Sequence, residues 1–194
     1  MTMLQGNRWV LFLMMHGISF AWIEVYFTPR DDIKFHLIQL IQEERTSIHA
    51  AVYMMTDKAI AQALVEAYVR GVKIYMVLDQ ISMGEKYGKG IFLKDHGVMI
   101  TVHQPSFTSL YCAPIMHHKF FVFGFNTRMQ TSLAWTGSFN CTASASRLHD
   151  ENVIVTDDAK VIFAYKECFK QLLFRLSGSR FYGDFEDTDL ELNI

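Results

Sequence analysis

Short continuous apolar runs alternate along the chain with longer stretches in which apolar residues return every third or fourth place. Val25 to Phe27 is a brief β-type run closed by Thr28-Pro29, and Asp31-Asp32 then opens an amphipathic stretch to Arg45 with Ile33, Leu37, Leu40 and Ile41 on one face. Ser47–Met54 reads as a buried strand, Asp57–Arg70 as a helix ending at Gly71, and Val72–Leu78 as a second buried strand. Gly88–Gly97 is short and helical or irregular, Val98–His103 a strand, and Gln104–Pro114 a loop. Two strands follow, His117–Phe123 and Thr131–Thr136, joined by a turn containing Gly124 and Asn126. Glu151–Val155 is a further strand. Asp157-Asp158 then start a helix to about Leu176, with Val161, Ala164, Tyr165, Cys168, Leu172 and Leu173 at helical spacing.

This rhythm predicts an α/β fold: a mixed β-sheet flanked by helices on both faces. Ser47–Met54, Val72–Leu78, His117–Phe123 and Glu151–Val155 belong inside the sheet, because their apolar runs are too continuous for strands with one wet face. The chain has no internal repeat and no low-complexity segment.

The first residues break the rhythm. From Trp9 to Ile23 the chain is apolar except for His16, Gly17 and Ser19, follows Arg8, and carries no acidic residue before Glu24. That is short of the roughly 20 apolar residues a membrane-spanning helix needs. With Ser19 and Ala21 as small residues before a cleavage point, residues 1–21 read as a secretory signal peptide or, uncleaved, a membrane anchor, so the protein is expected to be exported or membrane-associated.

With 194 residues, 51% of them apolar, and 3 Cys, the body forms one ordinary core and is neither disordered nor disulfide-stapled. Charge is uneven: an acidic tail over 177–194 holds Asp184, Glu186, Asp187, Asp189 and Glu191 against Arg180. Setting it aside turns 18 basic and 20 acidic residues into 17 and 15, so composition advertises no nucleic-acid surface. Cys112, Cys141 and Cys168 lack ligand spacing and allow at most one intramolecular disulfide.

Chemistry concentrates in the second half. In His117-His118-Lys119 the two-residue period of a strand sends His117 and Lys119 to one face and His118 to the other. Imidazole beside ammonium suits phosphoryl chemistry, as nucleophile or proton carrier next to a cation that neutralises non-bridging oxygens. Gly137-Ser138-Phe139-Asn140 ends the next strand in a turn whose Ser138 and Asn140 offer polar groups to an oxyanion. Glu151 heads a strand where a carboxylate could hold an imidazole N–H. Each of these alone is common. Asp79 closes a strand at the sheet edge where ligands gather, His118 reads as a packed or supporting histidine, His49 and His103 as serving strands or loop ends, and Phe107, Leu110 and Tyr111 as core contacts or an apolar lip.

Taken in order, MHHKFFVFG, WTGSFN and ENVIV closely resemble the phospholipase D superfamily, whose signature is HxKxxxxD followed by GSxN and a glutamate. The resemblance extends to VYFTPRDD and VLDQ, covers a catalytic domain of about residues 24–176, and points to the short single-motif branch of small bacterial endonucleases and mitochondrial cardiolipin hydrolase. It implies the phospholipase D-like α/β sandwich. It also implies that His117 attacks the phosphodiester, Lys119 and Asn140 hold the non-bridging oxygens, Glu151 orients His117, and Ser138 supports the phosphate or the turn, with Gly137 and Phe139 bordering the substrate. No metal and no cofactor are implied. Family enzymes use two such histidines and this chain has one HxK, so the resemblance implies a homodimer sharing one active site.

One position departs: where the motif has aspartate the chain has Gly124, with Asn126 nearby as a partial substitute. That carboxylate belongs to the support of the site, so restoring it is expected to raise turnover unless the backbone needs glycine there. Three readings follow: a nuclease acting on nucleic acid, a phospholipase D acting on phospholipid head groups, and a catalytically weakened binding module.

Overall fold

The computed structural model describes residues 21–84, 86–104 and 114–177. The expected leader over 1–21 (apart from Ala21), the acidic tail and the loop residues Phe107, Leu110, Tyr111 and Cys112 lie outside the described residues. Seven strands form one mixed sheet: β1 (Ile23–Phe27), β2 (Ser47–Val52), β3 (Lys73–Asp79), β4 (Met99–His103), β5 (Lys119–Asn126), β6 (Thr131–Gly137) and β7 (Asn152–Thr156). Their order is β1-β7-β6-β5-β2-β3-β4. β2, β3 and β4 are parallel, and every other pairing is antiparallel. The four strands expected inside the sheet are all interior.

Helices α1 (Ile33–Glu43) and α2 (Lys58–Val69) cover one face, and α5 (Ala159–Ser177) the other, with short α3 (Gly90–Asp95) and α4 (Ala143–Arg147) at the edges. The α1 stripe Ile33, Leu37, Leu40 and Ile41 is buried as its spacing requires, in one core with Phe121, Phe123 and Trp135. Asp32 and Asp57 cap α1 and α2 by accepting first-turn N–H groups, which is why both helices start one residue after an aspartate. Gly71 takes positive φ, +95°, and ends α2. On the second face Ile162, Phe169, Leu172 and Leu173 pack on Phe120, Val122 and Ala134. The expected α5 stripe is thus partly out of phase, since Ala164 is exposed and Ile162 faces the sheet.

Two expectations on the motif strand need correction. β5 starts at Lys119, so His117 and His118 stand just ahead of it. β2 ends at Val52, opposite Lys119, and beyond that pair only the Tyr53 N–H reaches the His118 carbonyl, at 2.8 Å. At its other end β5 runs through Gly124 to Asn126, and the turn is residues 127–130. Gly124 is not a turn glycine with positive φ. A Cβ there would lie 2.2 Å from Thr46 Oγ1 and 2.6 Å from Ser47 Oγ. Gly124→Asp is therefore expected to lower stability by about 1–3 kcal/mol through overcrowding rather than to raise turnover. Thermal denaturation checks this; an unchanged midpoint would show that Thr46 and Ser47 give way.

Candidate functional site

One edge of the sheet gathers the end of β2, the start of β5, the end of β6 and the start of β7. His117 is exposed there, its ring 4.6 Å from that of Tyr53 between centroids. Lys119 returns to the same side: its Nζ donates to the His117 carbonyl at 2.8 Å and lies 5.2 Å from the Tyr53 ring centroid. Burial holds this ammonium below the ordinary lysine range, and the Glu151 carboxylate pulls the other way. A cation so placed is poorly solvated and gains strongly from an incoming anion.

Ser138 and Glu151 form one unit. The Ser138 hydroxyl donates to Glu151 Oε2 and accepts the Asn152 N–H at 3.0 Å, while the Ser138 N–H donates to the Asn152 carbonyl at 3.0 Å. Thr28 Oγ1 accepts the Glu151 N–H at 2.7 Å and donates to the His149 carbonyl at 2.6 Å, fastening β1 and the α4–β7 loop to the site. Glu151 is nearly buried, with His149 Nδ1 3.7 Å from its Oε1. Among the described residues it makes no hydrogen bond to His117, the imidazole it was expected to orient. Asn140 is half-buried and its Oδ1 has no hydrogen-bond partner among the described residues.

Gly137 and Phe139 serve the fold. A Cβ at Gly137 would fall 2.0 Å from the Asn152 carbonyl oxygen, so glycine is what lets β7 approach β6. The Phe139 ring is buried in the core, so the substrate border expected of it cannot come from that ring. His118 turns to the α5 face as the alternation requires, edge-on to Phe120 and 4.0 Å from Cys168 Sγ. Burial and the nearby cations Arg175 and Lys119 keep it below its ordinary pKa, favouring the neutral ring. Cys141 and Cys168 are free thiols, and among the described residues no three His, Cys, Asp or Glu side chains are grouped to hold a metal ion.

Reading the sequence missed three contributors. Tyr53 sits one residue past β2, where only the β2–β5 register reveals that it meets His117. Thr28 and His149 join only through tertiary contact. Asp79, weighed as a strand end, proves to be a buried anchor: its Oδ2 accepts the Met116 N–H at 2.9 Å and faces His103 Nδ1 at 3.3 Å, holding the residue before His117. His49 packs between Tyr75 and Phe169.

Beside Asn140, the Thr56 and Asp57 N–H groups both donate to the Cys141 carbonyl at 2.9 Å, and the surface there opens into a cleft lined by Lys34, Asp57, Lys58, Lys89 and Arg147. Lys34 is paired with Asp57 at 2.9 Å; Lys58, Lys89 and Arg147 have no ion-pair partner among the described residues.

Known proteins resemble this chain in sequence and in fold. Phospholipase D of Rickettsia prowazekii (strain Madrid E) is 27% identical over 160 residues, 82% of this chain and 72% of that protein. Mitochondrial cardiolipin hydrolase of Xenopus tropicalis is 28% identical over 145 residues, 74% of this chain and 63% of its own length. Among solved structures, NucT from Helicobacter pylori superposes with a TM-score of 0.69 at 20% identity, over 79% of this chain and 96% of that one. Nuc from Salmonella typhimurium, a phospholipase D family member, does so with 0.59 at 24%, over 78% and 93%. These two likenesses are of fold. The family model of the PLD-like domain described for cardiolipin synthase matches residues 37–173, from the middle of α1 to the last turns of α5, and the chain belongs to the phospholipase D superfamily of phosphodiesterases.

Proposed function

We propose that this chain hydrolyses phosphodiesters through a phosphohistidine, with a nucleic acid strand as substrate. The observation that carries the reading is the convergence of His117 and Lys119 with Ser138, Asn140 and Glu151 at one sheet edge. The neutral His117 imidazole attacks phosphorus; a P–N bond forms as the P–O bond to the leaving alcohol breaks. Water then cleaves the P–N bond and releases the phosphomonoester. Lys119 and Asn140 meet the non-bridging oxygens, where charge builds in the transition state. The leaving oxygen takes its proton from a second imidazolium, supplied by His117 of another copy in a homodimer. That arrangement accords with Glu151 being bonded to Ser138 rather than to its own His117, and with Ile115 and Leu148 lying exposed beside the site.

Three cations in the adjoining cleft favour a polyanionic strand over a single lipid head group, despite the near-neutral composition. The phospholipid reading draws on the relatives named phospholipase D and cardiolipin hydrolase, and on the apolar stretch at the start of the chain. Among the described residues no helix is long and apolar enough to cross a membrane.

Single-stranded DNA, RNA and cardiolipin vesicles, each incubated with the protein in EDTA, test the proposal. Strand cleavage surviving EDTA is expected. Release of phosphatidic acid without strand cleavage would move the assignment to lipid, and turnover only with added divalent metal would overturn the mechanism. The kcat/KM profile should be bell-shaped, because one histidine must be neutral and its twin protonated. Since the Lys119 pKa is lowered, the ammonium loses its charge at a pH where an ordinary lysine keeps it. Beyond the alkaline limb set by the histidines, a further loss of rate is therefore expected at a lower pH than an ordinary lysine would give.

A further inference from the structure

Gly124 leaves the motif without its carboxylate, yet a carboxylate is present at that point of the fold. Glu44, in the connection between α1 and β2, is fully buried, and its Oε1 accepts four donors: Thr46 N–H at 2.7 Å, Thr46 Oγ1 at 2.9 Å, Phe125 N–H at 2.9 Å and Ser47 N–H at 3.1 Å. Thr46 and Ser47 are also the residues that a side chain at 124 would strike. A side chain at 124 would therefore press on the two residues whose groups hold the Glu44 carboxylate.

The backbone explains why an acceptor is needed there. Between Phe123 and Asn126, β5 carries one more residue than the facing stretch of β6, a bulge that takes Phe125 out of the ladder. The Arg45 N–H takes the Phe125 carbonyl at 3.1 Å, and Ser132 Oγ donates to the Gly124 carbonyl at 2.6 Å. The Phe125 N–H is left to Glu44. Among the described residues this buried carboxylate has no ion-pair partner and its second oxygen accepts no hydrogen bond, which is expensive, and its four donors are what make it tolerable.

We infer that Glu44 supplies, from a neighbouring segment, the supporting carboxylate the motif lacks at position 124, and is a positioning residue for His117. It ties the far end of β5 to the start of β2, and the β2–β5 register, with Ile48 opposite Phe123 and Val52 opposite Lys119, brings Tyr53 onto His117. Gly124 is then a consequence of the relocation rather than a mark of decay. The inference rests on the functional reading above for its link to turnover, but not for its structural part.

Amide hydrogen exchange and steady-state kinetics on bis(p-nitrophenyl) phosphate, run on the full chain with Glu44→Gln and Glu44→Asp, test it. Glu44→Gln should speed exchange at Phe125 tenfold or more and lower kcat about tenfold with KM within twofold; Glu44→Asp, which keeps the charge, should recover part of both and serves if the glutamine variant does not fold. Wild-type exchange at Phe125 in Glu44→Gln overturns the carboxylate's role. Faster exchange with unchanged kcat overturns its positioning of His117. If the wild type hydrolyses no phosphodiester, the functional reading falls, and the exchange data still decide whether Glu44 holds the bulge.

Discussion

Replacing His117 by alanine should abolish turnover while leaving the fold intact. The imidazole is exposed and makes no hydrogen bond among the described residues, so its loss should cost no more than about 0.5 kcal/mol, the usual range for surface substitutions. Its loss from the reaction should be total, because among the described residues the other candidate nucleophiles beside it are engaged elsewhere: Ser138 bonds Glu151 and Asn152, His149 faces Glu151, His118 turns to Phe120 and Cys168, and Cys141 is buried, with a thiol pushed far above its ordinary pKa by burial. Lys119→Ala and Asn140→Ala should lower kcat by about 10²–10³ each with smaller changes in KM, since both groups act where charge develops. Single-turnover measurements of strand cleavage with matched thermal denaturation would check all three. Near-normal rates in a folded His117→Ala protein would sink the phosphohistidine mechanism.

The extent to which this site could be read from the sequence follows from what each residue depends on. Residue order and the two-residue strand period place His117 and Lys119 on one face and His118 on the other, because the period is a local property of extended backbone. The apolar continuity of Ser47–Val52 and of Lys119–Phe123 likewise marks interior strands, since a strand covered on both faces needs no polar positions. Register is another matter. That Tyr53 meets His117 and that Asp79 binds the Met116 N–H depend on pairings between segments far apart in the chain, and nothing local encodes them. Gly124 shows the same limit more sharply. As a motif position it reads as a missing carboxylate and a turn. In the fold it is a strand residue crowded by Thr46 and Ser47, next to a carboxylate from Glu44 that no linear motif would associate with it. The phase of α5 is ambiguous in the sequence for a related reason: with Val161, Ile162, Phe163 and Ala164 in succession, several stripes are equally apolar, and packing on Phe120 and Val122 selects the one through Ile162 and Phe169.

Mixing wild-type chains with His117→Ala chains should show that two copies build one catalytic centre. One chain carries one HxK, so an isolated subunit has a nucleophile but no partnered acid for the leaving group and a single lysine for the phosphate. In the proposed dimer the two imidazoles would be brought together by a two-fold axis passing close to the start of β5. Such an axis would cover Leu148, 80% exposed, and Ile115, 53% exposed, both of which flank the site. If each dimer holds one shared centre that needs both histidines, a heterodimer with a single His117 is inactive, and after full subunit exchange activity should fall with the square of the wild-type fraction. Independent sites in each chain would give a linear decline. The measurement is strand cleavage against mixing ratio, with sedimentation or light scattering confirming the dimer at the assay concentration. A linear decline, or full turnover by a strictly monomeric preparation, would overturn the shared centre while leaving His117 as the nucleophile.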